Sequence, residues 1–503
     1  MAASFLAEPD RQSRPARRDE LAVVLAITAL GVLLRLYRLG LRSLWNDEAL
    51  AVLYALQPWR SFWRVLWDRE LNMGFYYLLL REWLRFSHTE VSIRMLSVIL
   101  GSLTLPAIYL LGRQLFNARI GAIAMLLLSL HSFHVFYSQE ARSYALLVLL
   151  LILSGYAFAQ AVLLPKARLW WSAYLLVSTL ALYTHFFAIF VLLAQWLSLG
   201  PREWKKIGIN RAAIVLFSLL VLSGPMVLFL ATKNQGQIKW VTVPAWHDIR
   251  NALKMLAGDA GVAPVLIYLG LILALISMYI RNHSNFSERF VLTTLLFPFL
   301  FVLFLSYFWR PLFYERFLVI CLPALLLAAA CAMDAITERF RYRVAKPLSL
   351  ATLASVLICF SIVGLRRHYL NIERWPAFRD AVLWADANRA PDDVVMFYPP
   401  QYPSFIYYHY VRYSAAPWNS ISHLLDAKKT LLGPAGPGFP GLRRTWMLTY
   451  VPAGQEKQTA APAYRNLQLV QSRSFPCFEF GYTQLPCQLS GFLYGSTSNN
   501  TRR

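Results

Sequence analysis

Two adjacent carboxylates, Asp47 and Glu48, follow the first apolar stretch of the chain within RSLWNDEALAVLY, residues 42–54. Other polar residues stand at the ends of later apolar stretches: Gln139, Glu140, Arg142 and Tyr144 in HSFHVFYSQEARSYALL, His185 in YTHFFA, Lys233, and Arg310, Glu315 and Arg316 in WRPLFYERFLVICLPALL. A carboxylate at a membrane surface can accept a proton from a hydroxyl, while arginine and lysine can hold a phosphate carried on a lipid. Those are the groups that moving a sugar off a lipid phosphate requires. Each residue alone also has a structural explanation. Asn46 can cap a helix whose first turn holds Asp47 and Glu48, where acids suit the positive end of the dipole. Arg142 and Arg316 can snorkel, Glu140 can balance Arg142, and His185 can simply end a helix.

The elements that must position these residues are membrane spans. The 503 residues are 57% hydrophobic and 15% charged, with a formal net charge of +23 and a mean hydropathy of +0.45. Such a basic chain invites nucleic acid as a partner, but its basic residues fall in short loops between apolar segments, so no nucleic acid is expected. Taking about 20 apolar residues per crossing gives about eleven spans. They lie near 21–39, 91–112, 120–136, 144–164, 169–184, 186–200, 212–231, 263–281, 290–308, 317–335 and 347–365.

Loop charges supply an orientation. Alternate loops carry Arg113 and Arg119; Lys166 and Arg168; Arg202, Lys205, Lys206 and Arg211; Arg281 and Arg289; and Arg339, Arg341, Arg343 and Lys346. The short loops on the other side hold only Arg142, Arg310 and Arg316. The positive-inside rule then puts the basic arm 1–20 in the cytosol and the C-terminal region outside, with the polar residues above gathered on the outer face. No cleavable signal pattern precedes the first span.

Two long outer loops are expected. Residues 40–90 carry Trp45, Trp59, Trp63, Trp67 and Trp83 interleaved with arginines, a pattern of amphipathic helices in the headgroup layer. Residues 232–262 form a second loop, polar enough to move. From residue 366 the character changes: 376–388 has a helical period, 394–398 and 445–451 read as strands, 433–441 is a Gly-rich loop, and a disordered tail follows 496. The expected fold class is an all-α polytopic membrane domain, 21–365, with a small α/β extracytoplasmic domain, 366–503. Cys321, Cys331 and Cys359 lie in apolar segments and pack as small hydrophobes. Cys477 and Cys487 lie in the outer domain, where an oxidising envelope would pair them.

The segments LWNDEALAV, FYSQEARSYALL, YTHFFAIFVLLAQ and ERFLVICLPALLLAAA resemble the signatures of the GT-C glycosyltransferases, in particular the bacterial branch similar to protein O-mannosyltransferases, aminoarabinose transferases and Rgt-type enzymes. The likeness covers most of 25–335, and FRDAVLWADANRAPDDVVMFYP resembles the start of the outer domain in many of these proteins. The resemblance implies an inverting transferase, in the inner membrane, that moves a sugar from a polyprenyl monophosphate to a lipid, glycan or protein hydroxyl on the outer face. It matches Asp47 to the general base and Glu48 to the acid beside it, places Arg142 near the donor phosphate, and sets His185 and Lys233 among the outer-face polar residues. Arg316 and Lys233 are further candidate ligands of the donor phosphate by position, and Glu140 and Tyr144 are further site candidates. One departure stands out: related chains often carry Asn-Pro-Pro where this one reads Asn72, Met73, Gly74. With a monophosphate leaving group, basic side chains suffice and no cofactor is expected; a divalent ion, if used, would draw on Asp47, Glu48 and Glu140. Charged span ends also occur in lipid or glycan transporters and flippases, but these commonly show inverted repeats, and the sequence has none. A non-catalytic envelope assembly protein is the third reading.

Overall fold

The computed structural model describes residues 18–233, 241–282, 285–338, 345–371, 376–390, 393–398, 403–412, 444–451, 467–475 and 488–496. Each of the eleven expected apolar segments is helical. Six helices are long and apolar enough to cross a membrane: Glu90–Leu115, Tyr144–Leu163, Ala263–Arg281, Phe286–Phe308, Glu315–Glu338 and Pro347–Asn371. Two more crossings are bent pairs, Ala118–Leu130 with Ser132–Ser138 at 64° and Ile209–Leu222 with Gly224–Thr232 at 51°. The other three segments fall short for local reasons. Arg18–Leu36 carries Arg18, Asp19, Glu20 and Arg35, and the pair around His185 makes helices of only 17 and 10 residues, Arg168–Thr184 and Ala188–Leu197.

The bundle is layered by burial. Tyr144–Leu163 and Glu315–Glu338 run through its centre, whereas Ala263–Arg281 and Pro347–Asn371 lie at the edge with most of their apolar side chains turned outward. Outward-facing Leu266, Leu269 and Leu273 match a hydrocarbon surround, in which the helix satisfies its own backbone. The two ends of the bundle carry separate charge sets. At one end Arg113 pairs with Glu20 at 3.7 Å and Arg119 with Asp334 at 3.1 Å; at the other Arg316 meets Asp47.

The described parts of the two loops expected on the outer face hold more regular structure than their polarity implies. Residues 40–90 hold a short helix Trp59–Val65, a π-helical turn Leu66–Glu70 and a helix Gly74–Trp83. Trp59 and Trp63 stay exposed, with rings stacked at 6.2 Å. In the second loop, expected to move, Trp246–Leu256 is a helix. Its end is tied to the break at His131: the ring Nε2 lies 3.1 Å from Leu256 O and Ser132 Oγ donates to Gly258 O at 2.7 Å.

The C-terminal part is the expected helix-and-sheet unit. Phe378–Asn388 is the helix, and four strands form one sheet: β1 Val394–Tyr398, β2 Arg444–Val451, β3 Leu467–Phe475 and β4 Gln488–Ser496. Their order is β1-β2-β4-β3, with β1 parallel to β2 and the other pairs antiparallel. Trp384 packs edge-on against Trp446 at 5.1 Å, covering one sheet face. The unit rests on the bundle through Tyr407, whose hydroxyl donates to His88 O at 2.6 Å, and through Arg379 and Arg412, each 3.5 Å from Glu90. The Gly-rich stretch 433–441, the tail after 496 and both Cys477 and Cys487 lie outside the described residues.

Candidate active site

Asp47 and Glu48 open the helix Asn46–Ala55, yet Asn46 does not cap it. The N-cap is Trp45, and Glu48 at the third position reaches back to the Trp45 amide at 3.4 Å. The capping expectation therefore fails for Asn46 and passes to Glu48, because a carboxylate three residues into a helix can return to the cap amide.

The two acids then diverge. Glu48 is fully buried and takes a two-pronged contact from Arg94, Nε to Oε1 at 2.8 Å and Nη2 to Oε2 at 2.7 Å. It also accepts the Ala141 amide at 2.9 Å. Burial alone would raise the Glu48 carboxyl, but the Arg94 guanidinium outweighs it and holds the group below its ordinary range. Asp47 keeps 26% of its side chain exposed, so a ligand can reach it. Its Oδ2 lies 3.2 Å from Arg316 Nη1 and 3.8 Å from Arg142 Nη2.

Both arginines are set by the chain around them. Arg142 sits in the tight turn between Ser132–Ser138 and Tyr144–Leu163, its amide donating to Glu140 O at 2.8 Å. Its Nη1 donates to Tyr77 Oη at 3.1 Å and to Asp47 O at 3.3 Å. Arg316 leaves the 3-10 turn Glu315–Cys321, and its guanidinium lies 4.7 Å from the Tyr314 ring and 5.6 Å from the Trp45 ring, a favourable cation–π arrangement.

Around this core the sequence candidates separate. Tyr144 and His185 line the buried side, with ring centroids 6.0 Å apart, and Phe317 closes over His185 at 5.3 Å. Gln139 turns away from Asp47 and ties down the end of the first helix, donating to Arg35 O and Tyr37 O at 2.9 Å each. Glu140 is fully buried, and among the described residues neither carboxylate oxygen has a hydrogen-bond partner. That burial pushes its carboxyl up to about 8. Lys233, expected on the donor phosphate, is instead paired with Asp68 at 3.1 Å, with both side chains substantially exposed. Arg310 ends a helix, its amide donating to Leu305 O at 2.9 Å. Among the described residues no three His, Cys, Asp or Glu side chains gather in a metal-binding group, so the Asp47, Glu48 and Glu140 set is not assembled; Glu48 is turned to Arg94.

Three site residues were not singled out from the sequence. Arg94 is a charge inside the apolar run SIRMLSVIL, and an ionisable residue in a span is a signal in its own right. Tyr77 and Glu70 had no such signal. The Tyr77 hydroxyl reaches Glu70 Oε2 at 3.5 Å, and burial pushes the Glu70 carboxyl up to about 7. Asn72, in the departing Asn-Met-Gly, accepts the Phe186 amide at 2.8 Å and so fixes the 40–90 loop to the break at His185.

Comparison with known proteins agrees with this architecture. Residues 73–230 match the family model described as dolichyl-phosphate-mannose-protein mannosyltransferase. No curated protein sequence matches the chain. Among solved structures, ArnT from Cupriavidus metallidurans in the apo state aligns with a TM-score of 0.57 at 12% identity, covering 94% of this chain and 98% of that one. The same protein bound to undecaprenyl phosphate gives 0.57 at 12% identity, covering 93% and 98%. The oligosaccharyltransferase of Archaeoglobus fulgidus, tethered to an acceptor peptide, gives 0.53 at 13% identity, covering 78% of this chain and 63% of that one. The chain thus spans less than two thirds of the archaeal enzyme but nearly all of ArnT. The matched family model and the shared architecture agree that this is a multi-pass membrane protein with the GT-C fold.

Proposed function

We propose that the chain is a membrane glycosyltransferase that takes a sugar from a polyprenyl monophosphate and passes it, with inversion, to an acceptor hydroxyl on the outer face of the inner membrane. The observation that carries this reading is the half-open Asp47 carboxylate flanked by the Arg142 and Arg316 guanidiniums. Asp47 takes the proton as the acceptor oxygen bonds to the sugar C1 and the bond from C1 to the phosphate oxygen breaks. Attack opposite the phosphate inverts C1, and the released polyprenyl phosphate leaves with its charge held by Arg142 and Arg316. Glu48, saturated by Arg94, holds the helix start rather than moving a proton. The alternating loop charges support a cytosolic arm at 1–20 and an outer C-terminal domain at 366–503. The two carboxylate–arginine arrangements also differ as a transferase needs them to differ, one closed and structural, one open and reactive.

The test is transfer from a labelled polyprenyl phosphate sugar by wild type and by Asp47→Asn. General base catalysis contributes about 10²- to 10⁴-fold, so the variant should lose at least that while inserting normally. Near-normal turnover in the variant would remove Asp47 from the role. A wild-type protein that moves the donor lipid across the bilayer but never releases sugar from it would be a flippase.

A further inference from the structure

The loop that delivers Asp47 is gripped from two sides. From the bundle, Arg94 donates to Leu39 O at 3.0 Å, Arg42 O at 2.9 Å and Ser43 O at 3.0 Å. From the C-terminal domain, Arg379 donates to the two carbonyls left between them, Gly40 O and Leu41 O, at 3.2 Å each. Five consecutive carbonyls, 39 to 43, are thereby held by two guanidiniums. The C-terminal domain adds two more contacts. The Leu44 amide donates to the buried Tyr408 hydroxyl at 2.6 Å, and the Arg379 amide to Ser43 Oγ at 3.1 Å. Each arginine is balanced by a carboxylate of the membrane part, Arg94 by Glu48 and Arg379 by Glu90.

We infer that the C-terminal domain completes the active site, with Arg379 and Tyr408 as positioning residues that set the 39–46 loop and hence the direction in which Asp47 faces. Neither touches Asp47. A run of carbonyls without regular secondary structure needs donors, and here they are shared between two domains. Undocking the domain would release Gly40 O, Leu41 O and the Leu44 amide together, the last of them three residues before Asp47. The domain is thus coupled to the chemistry through the backbone, a route by which an acceptor bound on its outer side would be sensed at Asp47. The inference rests on the proposed role of Asp47.

Tyr408→Phe removes one oxygen and keeps the packing, and Tyr407→Phe is its control, since Tyr407 is equally buried and bonds His88 instead. Hydrogen exchange followed by mass spectrometry on peptides covering 39–46 reads the loop without reference to activity. Faster exchange there in Tyr408→Phe and not in Tyr407→Phe is expected, together with a roughly 3- to 10-fold lower kcat at a KM within about twofold, the size of one lost hydrogen bond. Arg379→Lys should do the same, because a single ammonium nitrogen does not reproduce the two separate guanidinium nitrogens that reach Gly40 O and Leu41 O. Unchanged exchange overturns the clamp, and faster exchange with unchanged kcat overturns the positioning role. Failure of the transferase reading appears separately, as full activity in Asp47→Asn or none in wild type.

Discussion

At the scale of residues, two neighbouring acids have come to opposite ends of one continuum. Glu48 and Arg94 are both fully buried, and removing one partner of such a pair leaves a charge unmatched in a low dielectric, at a cost of about 3–5 kcal/mol. Glu48→Gln should therefore lower the melting temperature and the amount of inserted protein, whereas Asp47→Asn, at a partly exposed carboxylate, should leave both near wild type; thermal melts of the two variants in one detergent decide it. No spacing in NDEA announces which acid faces inward. Arg142 carries a sharper demand. Its guanidinium spans the Tyr77 hydroxyl and Asp47, so Arg142→Lys should weaken binding of the polyprenyl donor even though the charge remains. Simple snorkelling would tolerate lysine, and equal donor affinity in Arg142→Lys and wild type would return Arg142 to that role.

At the scale of elements, the site stands where helices stop. Asp47 begins one, Arg142 lies in a five-residue turn between two, His185 separates two short ones, and Arg316 sits in a 3-10 turn before a long span. Hydropathy made these positions legible, because a span end is visible as the edge of an apolar run. What hydropathy could not give is the bend within a run, at His131 and at Ser223, or the pairing of Arg94 with a residue 46 positions away. The strands at 467–475 and 488–496 were also missed. Their alternation is broken by glycines and small polar residues, and only pairing defines them, β4 with β2 and β3 with β4. One element contact can be tested directly. In the edge helix Ala345–Asn371, a Cβ on Gly364 would lie 1.9 Å from Gly258 O, the carbonyl that Ser132 already holds. Gly364→Val should cost about 1–3 kcal/mol of overpacking, which exceeds the few tenths that valine gains over glycine in a helix. Gly270→Ala, with nothing within 4 Å of the added carbon, should instead gain up to about 1 kcal/mol; melts of both variants check the two signs.

At the scale of the whole molecule, the Asp47 end of the bundle holds carboxyls displaced in opposite directions, and this sets how stability varies with pH. Glu140 is pushed up to about 8 and Glu70 to about 7, both by burial, while Arg94 holds Glu48 below its ordinary value. An unfolded glutamate titrates near 4.3. Between there and about 8, the folded chain keeps protons on Glu140 and Glu70 that the unfolded chain has released, so raising the pH favours unfolding. Glu48 acts the other way: its contribution is present above the unfolded value and is lost as pH falls through the lower folded value. Stability from these groups should therefore peak near pH 4, fall towards pH 8 and fall again in stronger acid. Melting temperatures from about pH 2 to 9 in one detergent will trace that curve, and Glu140→Gln should make its alkaline arm shallower while leaving the acid arm in place. An alkaline arm unchanged in Glu140→Gln would mean that the buried carboxyl has found a cation and is already ionised. Transfer activity should not follow the same curve, since the proposed base, Asp47, is partly exposed while Glu140 and Glu48 are fully buried.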